Sequence, residues 1–257
     1  MGEIRRARPV RVGVGIGLPV VAGVGLAALL LRVLPADATG RWGLSPALVA
    51  GVCWAGQLWY VGYGLDTGRL TDGFWRRLLG IANAVTLVRG ALYAVVAGFV
   101  VAVPPETPLA WAPALCYGTG VALDNLDGTV ARRVGQETEI GRRLDMAFDT
   151  FGFVAAPLVA VLWGLLPVWY LAISAARYVF RGAVWLRRAR GLPVGDLPDS
   201  DLGRYLAGVQ MVFVAVALVP PVPTGLVWTL APVVLLPSLA VFTRDYLVVS
   251  GRLPGPR

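Results

Sequence analysis

The sequence predicts an all-α, polytopic membrane protein built as a bundle of transmembrane helices. Of its 257 residues, 57% are hydrophobic, and the mean hydropathy is +0.69. Apolar stretches of about 20 residues recur along the chain, each long enough to cross the hydrocarbon core of a bilayer. Polar and turn-forming residues separate these stretches and predict eight spans, at residues 10–34, 44–65, 81–103, 108–126, 142–164, 168–186, 203–220 and 225–248.

The first two spans are predicted to be retained helices that precede a six-helix core. The first follows a basic N-terminus, as a signal peptide does, but its apolar run from about Val12 to Leu34 is too long for a cleaved signal core. We therefore expect residues 1–65 to form two transmembrane helices, to which the sequence assigns no role beyond packing or partner contact.

A short amphipathic segment is predicted between these helices and the core, at residues 66–80. Phe74, Trp75, Leu78 and Leu79 share one side of a helix, and arginines occupy other positions. Such a segment is expected to lie on the inner leaflet. The core then covers residues 81–250, and residues 251–257 form a short cytoplasmic tail.

The basic residues predict the orientation of the helices. All 23 are arginines, and a cytoplasmic N-terminus leaves only Arg32 and Arg41 near an outer loop. We expect a multi-pass protein of the cell membrane with its N-terminus in the cytoplasm. The net charge of +8 is then explained by an inner rim facing anionic lipid, so no nucleic-acid partner is expected.

Missing residue types exclude several kinds of site. The chain has no histidine and no lysine, which excludes a Ser-His-Asp triad, an H-E-x-x-H zinc site, a P-loop lysine and a Schiff base. Cys53 and Cys116 stand singly inside apolar spans, so neither a disulfide nor a zinc site is expected. Acid or base chemistry is left to carboxylates.

Four aspartates form the most informative pattern in the chain: Asp124-x2-Asp127-Gly128-x2-Ala131-Arg132-x8-Gly141-x3-Asp145-x3-Asp149. Offsets of three, four and seven residues return to nearly the same face of a helix. The pattern therefore predicts two acidic stripes on neighbouring antiparallel helices, joined by a turn near residues 133–140. We expect all four carboxylates to face one pocket near the cytoplasmic surface.

Four close carboxylates need compensating cations, because like charges repel strongly in a low dielectric. Oxygen ligands without histidine or cysteine suit Mg²⁺ or Mn²⁺, and four carboxylates suffice for two ions. A pair of divalent cations indicates phosphate chemistry. For the acids alone, two different roles stay open: ion pairing with Arg132, Arg142 and Arg143, or a proton pathway in a transporter.

The whole pattern resembles the signature of the CDP-alcohol phosphatidyltransferases, membrane enzymes that join a CDP-activated group to an alcohol and release CMP. Every specified position matches, and the resemblance covers about residues 66–250. Asn83, Thr86 and Arg89 are similar to the family's motif in the first core helix. Ala82 departs from it, since the family often has proline before that asparagine.

The resemblance implies a role for each matched residue. Asp124, Asp127 and Asp145 would ligate two divalent cations, and Asp149 would ligate one of them while acting as general base toward the acceptor hydroxyl. The CDP site would be shaped by residues from both motifs: Gly128, Ala131, Arg132, Gly141, Asn83 and Thr86. The partners implied are a CDP-lipid donor, a small alcohol acceptor, the lipid bilayer and a second copy of the chain in a homodimer.

The late arginines bear on the acceptor. Four of them are predicted at the cytoplasmic ends of the last helices: Arg177, Arg181, Arg204 and Arg244. They favour an anionic acceptor, a phosphorylated polyol such as glycerol phosphate or inositol phosphate. Serine or another unphosphorylated alcohol is the alternative, and a membrane prenyltransferase or an ion-coupled transporter are competing hypotheses for the whole protein.

Overall fold

The structure, a computed structural model, describes residues 43–66, 81–134, 139–195 and 201–254. Within these ranges it describes the backbone alone at 61–66, 81–84, 125–134 and 139–144. All regular structure in these ranges is helical, which confirms the predicted all-α class. The α-helices found there are α1 Pro46–Asp66, α2 Ile81–Gly98, α3 Ala112–Val134, α4 Glu139–Leu162, α5 Ala172–Ala189, α6 Asp201–Ala217 and α7 Thr224–Val249.

These helices coincide with the second to eighth predicted spans, whereas the span at 10–34 and the amphipathic stretch at 67–80 lie outside the described residues. The largest differences are at two helix ends. Helix α3 continues to Val134, about one heptad beyond the predicted end, because the Asp-rich pattern stays helical after the apolar stretch stops. Helix α2 ends at Gly98, and the apolar residues after it form tight turns with i to i−3 hydrogen bonds.

The chain divides into two compact units, and the first contains the acidic pattern. This unit combines Met1–Val103 with Ala122–Thr150, so it holds α1, α2, the end of α3 and the beginning of α4. Its buried apolar residues come mainly from α1 and α2. Helix α1 is therefore part of the same unit as the first helix of the core.

Gly98 lies at a close contact between α1 and α2. A Cβ atom at this position would lie 2.5 Å from the carbonyl oxygen of Pro46 and 3.1 Å from the Cβ of Ala50. A glycine lets the two backbones touch, as small residues do at helix contacts in membranes. Ala47 and Trp54 are also buried on α1. The sequence predicts packing or partner contact for this helix without naming its neighbours.

The second unit combines Pro104–Val121 with Phe151–Arg257 and contains a buried polar network. The Tyr170 hydroxyl donates a hydrogen bond to Oε1 of Gln210 on α6. The Gln210 Nε2 donates to the Val234 carbonyl at 2.8 Å and to the Ser238 hydroxyl at 3.0 Å, both on α7. Because Gln210 is 1% exposed, its amide needs these partners to avoid an uncompensated desolvation cost. The network therefore joins α6, α7 and the turn before α5.

Two described helical segments are long and apolar enough to cross a membrane, Asp145–Leu162 of α4 and Thr224–Val249, which is all of α7. Only 22% of the α7 segment is buried, and large apolar side chains such as Trp228, Val233 and Leu236 are exposed. A core helix of a soluble protein buries most of such a surface, whereas a lipid-facing helix exposes it. These features support a membrane location, and the arrangement of six plus two spans remains a prediction.

Candidate active site

Helix α2 places a positive charge in the interior of the first unit. The Arg89 side chain is 0% exposed, and Tyr93 and Val96 on the same helix are fully buried. An ionised group in such surroundings is strongly destabilising unless an opposite charge pairs with it. The position of Arg89 therefore requires acids nearby.

Three carboxylates of the acidic pattern meet this arginine. Arg89 Nη1 donates to Asp124 Oδ1 on α3 at 2.8 Å and to Asp145 Oδ1 on α4 at 2.7 Å. Arg89 Nη2 donates to Asp149 Oδ1, one helical turn further along α4. Asp124 of the first predicted stripe and Asp145 and Asp149 of the second therefore lie around one guanidinium group.

The same three carboxylates form a group that fits a metal ion. Asp124, Asp145 and Asp149 each offer one oxygen, and these atoms lie within 4.8 Å of one another. Their side chains are 32%, 40% and 23% exposed, so the acids are accessible from solvent while Arg89 lies buried behind them. Hard oxygen ligands at this spacing suit Mg²⁺ or Mn²⁺.

Most of the other predicted site residues lie on the expected helices, in stretches where only the backbone is described. Asp127, Gly128, Ala131 and Arg132 belong to α3, one to two turns after Asp124, and further residues belong to α4 and α2, namely Gly141 and Asn83. The exception is Thr86, whose side chain is described and is 3% exposed. It precedes Arg89 by three residues, which places both on one side of α2.

The four arginines predicted to bind the acceptor belong to the second unit. Arg204 on α6 is exposed and donates to Asp201 at 2.6 Å, and Arg244 on α7 donates to Asp245 at 2.7 Å. On α5, Arg181 is exposed and Arg177 is half-buried. Each is thus at least partly accessible to a solute, and their role toward an acceptor stays a prediction.

Gly90, the residue after Arg89, is closely packed against residues of α1 and α4. A Cβ atom on Gly90 would lie 2.6 Å from Oε1 of Gln57 on α1, and 3.1 Å from two ring carbons of Phe148 on α4. Phe148 is 1% exposed and immediately precedes Asp149. Gln57 is 7% exposed, and neither atom of its amide has a hydrogen-bond partner among the described residues. The packing of α1 therefore reaches the neighbours of both Arg89 and Asp149.

The contacts of Arg89 and Gln57 are not predicted by the sequence. Arg89 matches a motif position, but the sequence predicts divalent ions as the cations beside the acids, with Arg132, Arg142 and Arg143 as the alternative partners. The signal is present, because a single arginine inside an apolar span must find a carboxylate. For Gln57, the only signal is a lone amide in an apolar helix, which does not reveal its neighbours.

Comparisons with known proteins agree with this geometry. The family model for CDP-alcohol phosphatidyltransferase matches residues 79–242, which contain the complete acidic pattern. Curated relatives named "Putative cardiolipin synthase" occur in Mycobacterium bovis (strain ATCC BAA-935 / AF2122/97) and Mycobacterium tuberculosis (strains CDC 1551 / Oshkosh and ATCC 25618 / H37Rv).

Each relative is 31% identical to this chain over 129 residues. The match covers 50% of this chain and 59% of the relative, so the chain spans about three-fifths of the length of the curated relatives it matches. Because the family model covers well over half of the chain, the protein belongs to the CDP-alcohol phosphatidyltransferase family.

Proposed function

We propose that this protein is an integral-membrane transferase that moves a phosphatidyl group from a CDP-lipid to the hydroxyl of a small alcohol and releases CMP, in phospholipid biosynthesis. The observation that carries the proposal is the meeting of Asp124, Asp145 and Asp149, which come from two helices and belong to one family signature. The apolar α4 and α7 segments support its place in the cell membrane.

Two divalent cations, Mg²⁺ or Mn²⁺, are the proposed cofactors. Asp124, Asp127, Asp145 and Asp149 are the proposed ligands, on the basis of their all-oxygen chemistry and the spacing of the three described side chains. Divalent ions bound there would supply positive charge to the diphosphate oxygens of the donor and offset charge that develops during transfer.

Asp149 is the proposed general base. It is the least exposed of the three acids, with 23% of its side chain exposed, and it is still accessible to solvent. Its carboxylate would take the proton from the acceptor hydroxyl, whose oxygen then forms a bond to the β-phosphorus of the donor. The bond from that phosphorus to the bridging oxygen breaks, and the oxygen leaves on CMP. A positioned base of this kind typically accelerates a reaction by about 10² to 10⁴.

The donor's CDP moiety is proposed to lie along α3 and α2 beside the acids. Small residues at Gly128 and Ala131 follow Asp124 on one face of α3 and would leave room for a flat group. Arg132 can pair with phosphate, and Gly141, Asn83 and Thr86 complete the proposed contacts. Substituting Gly128 by leucine should raise the KM for the CDP-lipid and leave the KM for the acceptor unchanged.

The acceptor is proposed to be a phosphorylated polyol, glycerol phosphate or inositol phosphate. Arg177, Arg181, Arg204 and Arg244 are the proposed contacts for its phosphate, since guanidinium groups pair well with phosphate oxygens. Arg204→Ala and Arg244→Ala should each raise the acceptor KM, whereas Arg188→Ala, a change at another exposed arginine, should not. Unchanged KM values in both of the first two variants would remove the basis for this acceptor class.

The curated relatives suggest one more acceptor for comparison. Cardiolipin contains two phosphatidyl groups joined through a glycerol. The printed name of the relatives therefore suggests phosphatidylglycerol as an alcohol that could accept a phosphatidyl group. Serine, ethanolamine and inositol represent the unphosphorylated alternative. The test is to incubate the purified protein with CDP-diacylglycerol and each acceptor in turn, and to identify the lipid product by mass.

The outcomes of this panel separate the hypotheses. A product with glycerol phosphate or inositol phosphate supports the proposed acceptor, and a product with serine or phosphatidylglycerol alone replaces it. Product formation from a prenyl diphosphate would support a prenyltransferase. Ion uptake into vesicles without any CMP release would support a transporter and would overturn the proposed function.

The orientation and assembly are proposed from the arginine distribution and the family resemblance. We propose that the N-terminus and the site face the cytoplasm, and that two chains form a homodimer. Accessibility of an introduced N-terminal cysteine to an impermeant thiol reagent in sealed, oriented vesicles tests the first. Mass measurement of the protein in lipid nanodiscs tests the second.

A further inference from the structure

The guanidinium of Arg89 is the shared partner of all three described carboxylates. Its two terminal nitrogens contact Asp124, Asp145 and Asp149 together, although these acids come from different helices or different helical turns. One side chain therefore collects the acids into the group that could hold a metal ion.

The contacts with the acids hold Arg89 in place, although its guanidinium group is not fully hydrogen-bonded. Its Nε atom is buried and has no hydrogen-bond partner among the described residues. Leaving a buried donor unpaired is costly, so the contacts at the terminal nitrogens must outweigh that cost. Electrostatic attraction to three carboxylates supplies such a contribution.

A divalent cation would draw on the same three carboxylates. When all three are ionised, the described carboxylates carry a combined charge of −3, which their contacts with Arg89 reduce to −2, so the group still attracts divalent ions. Arg89 and a divalent ion thus stabilise the same acids and repel each other at close range. Removing the charge of Arg89 should weaken the cluster when no ion is bound and strengthen its attraction for an ion.

We propose that Arg89 is a positioning residue that serves as the internal counter-cation of the carboxylate cluster: it holds Asp124, Asp145 and Asp149 together in the absence of divalent ions and competes with those ions for them. The inference rests on the metal site of the proposed function. It adds that the affinity for divalent ions is set partly by a residue that is not a ligand.

The test measures Mn²⁺ binding and thermal unfolding of the purified full chain, with no transfer reaction involved. Two variants are compared. Arg89→Met keeps much of the side-chain length and removes the charge. Arg89→Lys keeps the charge but lacks the forked geometry of the guanidinium. Mn²⁺ affinity is measured by electron paramagnetic resonance, and unfolding is followed in EDTA and in Mn²⁺.

Arg89→Met should bind Mn²⁺ roughly tenfold more tightly than the unsubstituted protein. Its unfolding midpoint should be lower in EDTA, and Mn²⁺ should raise this midpoint by more than it raises that of the unsubstituted protein. Arg89→Lys should fall between the two. Equal or weaker Mn²⁺ binding by Arg89→Met would overturn the inference.

A charge-balanced second variant keeps the test decisive if Arg89→Met fails to fold. Adding Asp145→Asn returns the charge of the described cluster to −2, so the double variant should fold better than Arg89→Met in EDTA. A double variant no more stable than the single one would refute the counter-cation role. If the unsubstituted protein binds no Mn²⁺ at all, the failure lies instead with the metal site of the proposed function.

Discussion

The contact at Gly90 allows the packing behind the site to be tested with a single methyl group. Gly90→Ala places a Cβ atom 2.6 Å from Oε1 of Gln57 and 3.1 Å from the Phe148 ring. Ordinary van der Waals contact begins near 3.4 Å, so the Gln57 amide must move by about 0.8 Å and the Phe148 ring by about 0.3 Å.

The expected magnitude follows from two opposing effects. Overpacking a well-filled interior costs about 1–3 kcal/mol, whereas replacing glycine by alanine inside a helix contributes about 1 kcal/mol of stability. Gly90→Ala should therefore lower the free energy of unfolding by about 0–2 kcal/mol. For a chain of this size, 1 kcal/mol corresponds to a shift of about 2–4 °C in Tm.

The coupling between Gly90 and Gln57 is the sharper quantity. Gln57→Ala removes the amide that the new methyl group meets, so Gly90→Ala should be less destabilising in that background by about 1 kcal/mol. Gly98→Ala is the matched contrast, because its Cβ would lie 2.5 Å from a backbone carbonyl oxygen and cannot be relieved by Gln57→Ala. Gly56→Ala has nothing within 4 Å and should leave Tm unchanged or raise it.

The assay can use the chain's own thiols. The two cysteines are free and half-buried, Cys53 in the first unit and Cys116 in the second. A thiol-reactive fluorophore therefore reports thermal unfolding, and a Cys116→Ala background limits the report to the unit that contains Gly90. Identical effects of Gly90→Ala with and without Gln57→Ala would refute the close packing of the Gln57 amide on Gly90.

Two further predictions concern the second unit. Gln210→Leu should lower the free energy of unfolding by about 1–3 kcal/mol, because Tyr170 and Ser238 lose their buried partner. Labelling of Cys116 during heating measures the change in Tm. An unchanged Tm would mean that the network contributes nothing to stability. Arg187→Ala should increase hydrogen exchange near the end of α7, because Arg187 Nη2 donates to the carbonyls of Pro193 and Ser250, whereas Arg188→Ala at an exposed position should not. Equal exchange in both variants would contradict that role.

The fold class and the acids of the site could be predicted because both depend on local spacing. Apolar runs of span length indicate helices, and offsets of three and four residues place acids on one helix face. The connection between α3 and α4 is so short that the two faces had to meet. In the structure, one oxygen each of Asp124, Asp145 and Asp149 lies within 4.8 Å of the others, whereas the side chain of Asp127 lies outside the described part of the chain.

Contacts between distant helices could not be predicted in the same way. The pairing of Arg89 with acids 35 to 60 residues away depends on which helices pack together, and spacing along the chain does not encode that choice. The same holds for Gln57, since an apolar helix outside the family-matched region shows no reason in its sequence to pack on Gly90. Helix ends differed too, because apolarity and helical hydrogen bonding stop at different residues.

The central claim is that the carboxylate cluster transfers a phosphatidyl group and that Asp149 is the base. It is tested most directly by measuring CMP release from CDP-diacylglycerol, with Mg²⁺ or Mn²⁺ and with EDTA, for the unsubstituted protein, Asp149→Asn and Glu106→Gln. Glu106 is the control, since it is an exposed acid between α2 and α3 and has no role in the proposed site. The unsubstituted protein and Glu106→Gln should release CMP only with acceptor and divalent ions present, and Asp149→Asn should be slower by at least about 10². CMP release by Asp149→Asn at the unsubstituted rate, or release that persists in EDTA, would contradict the claim.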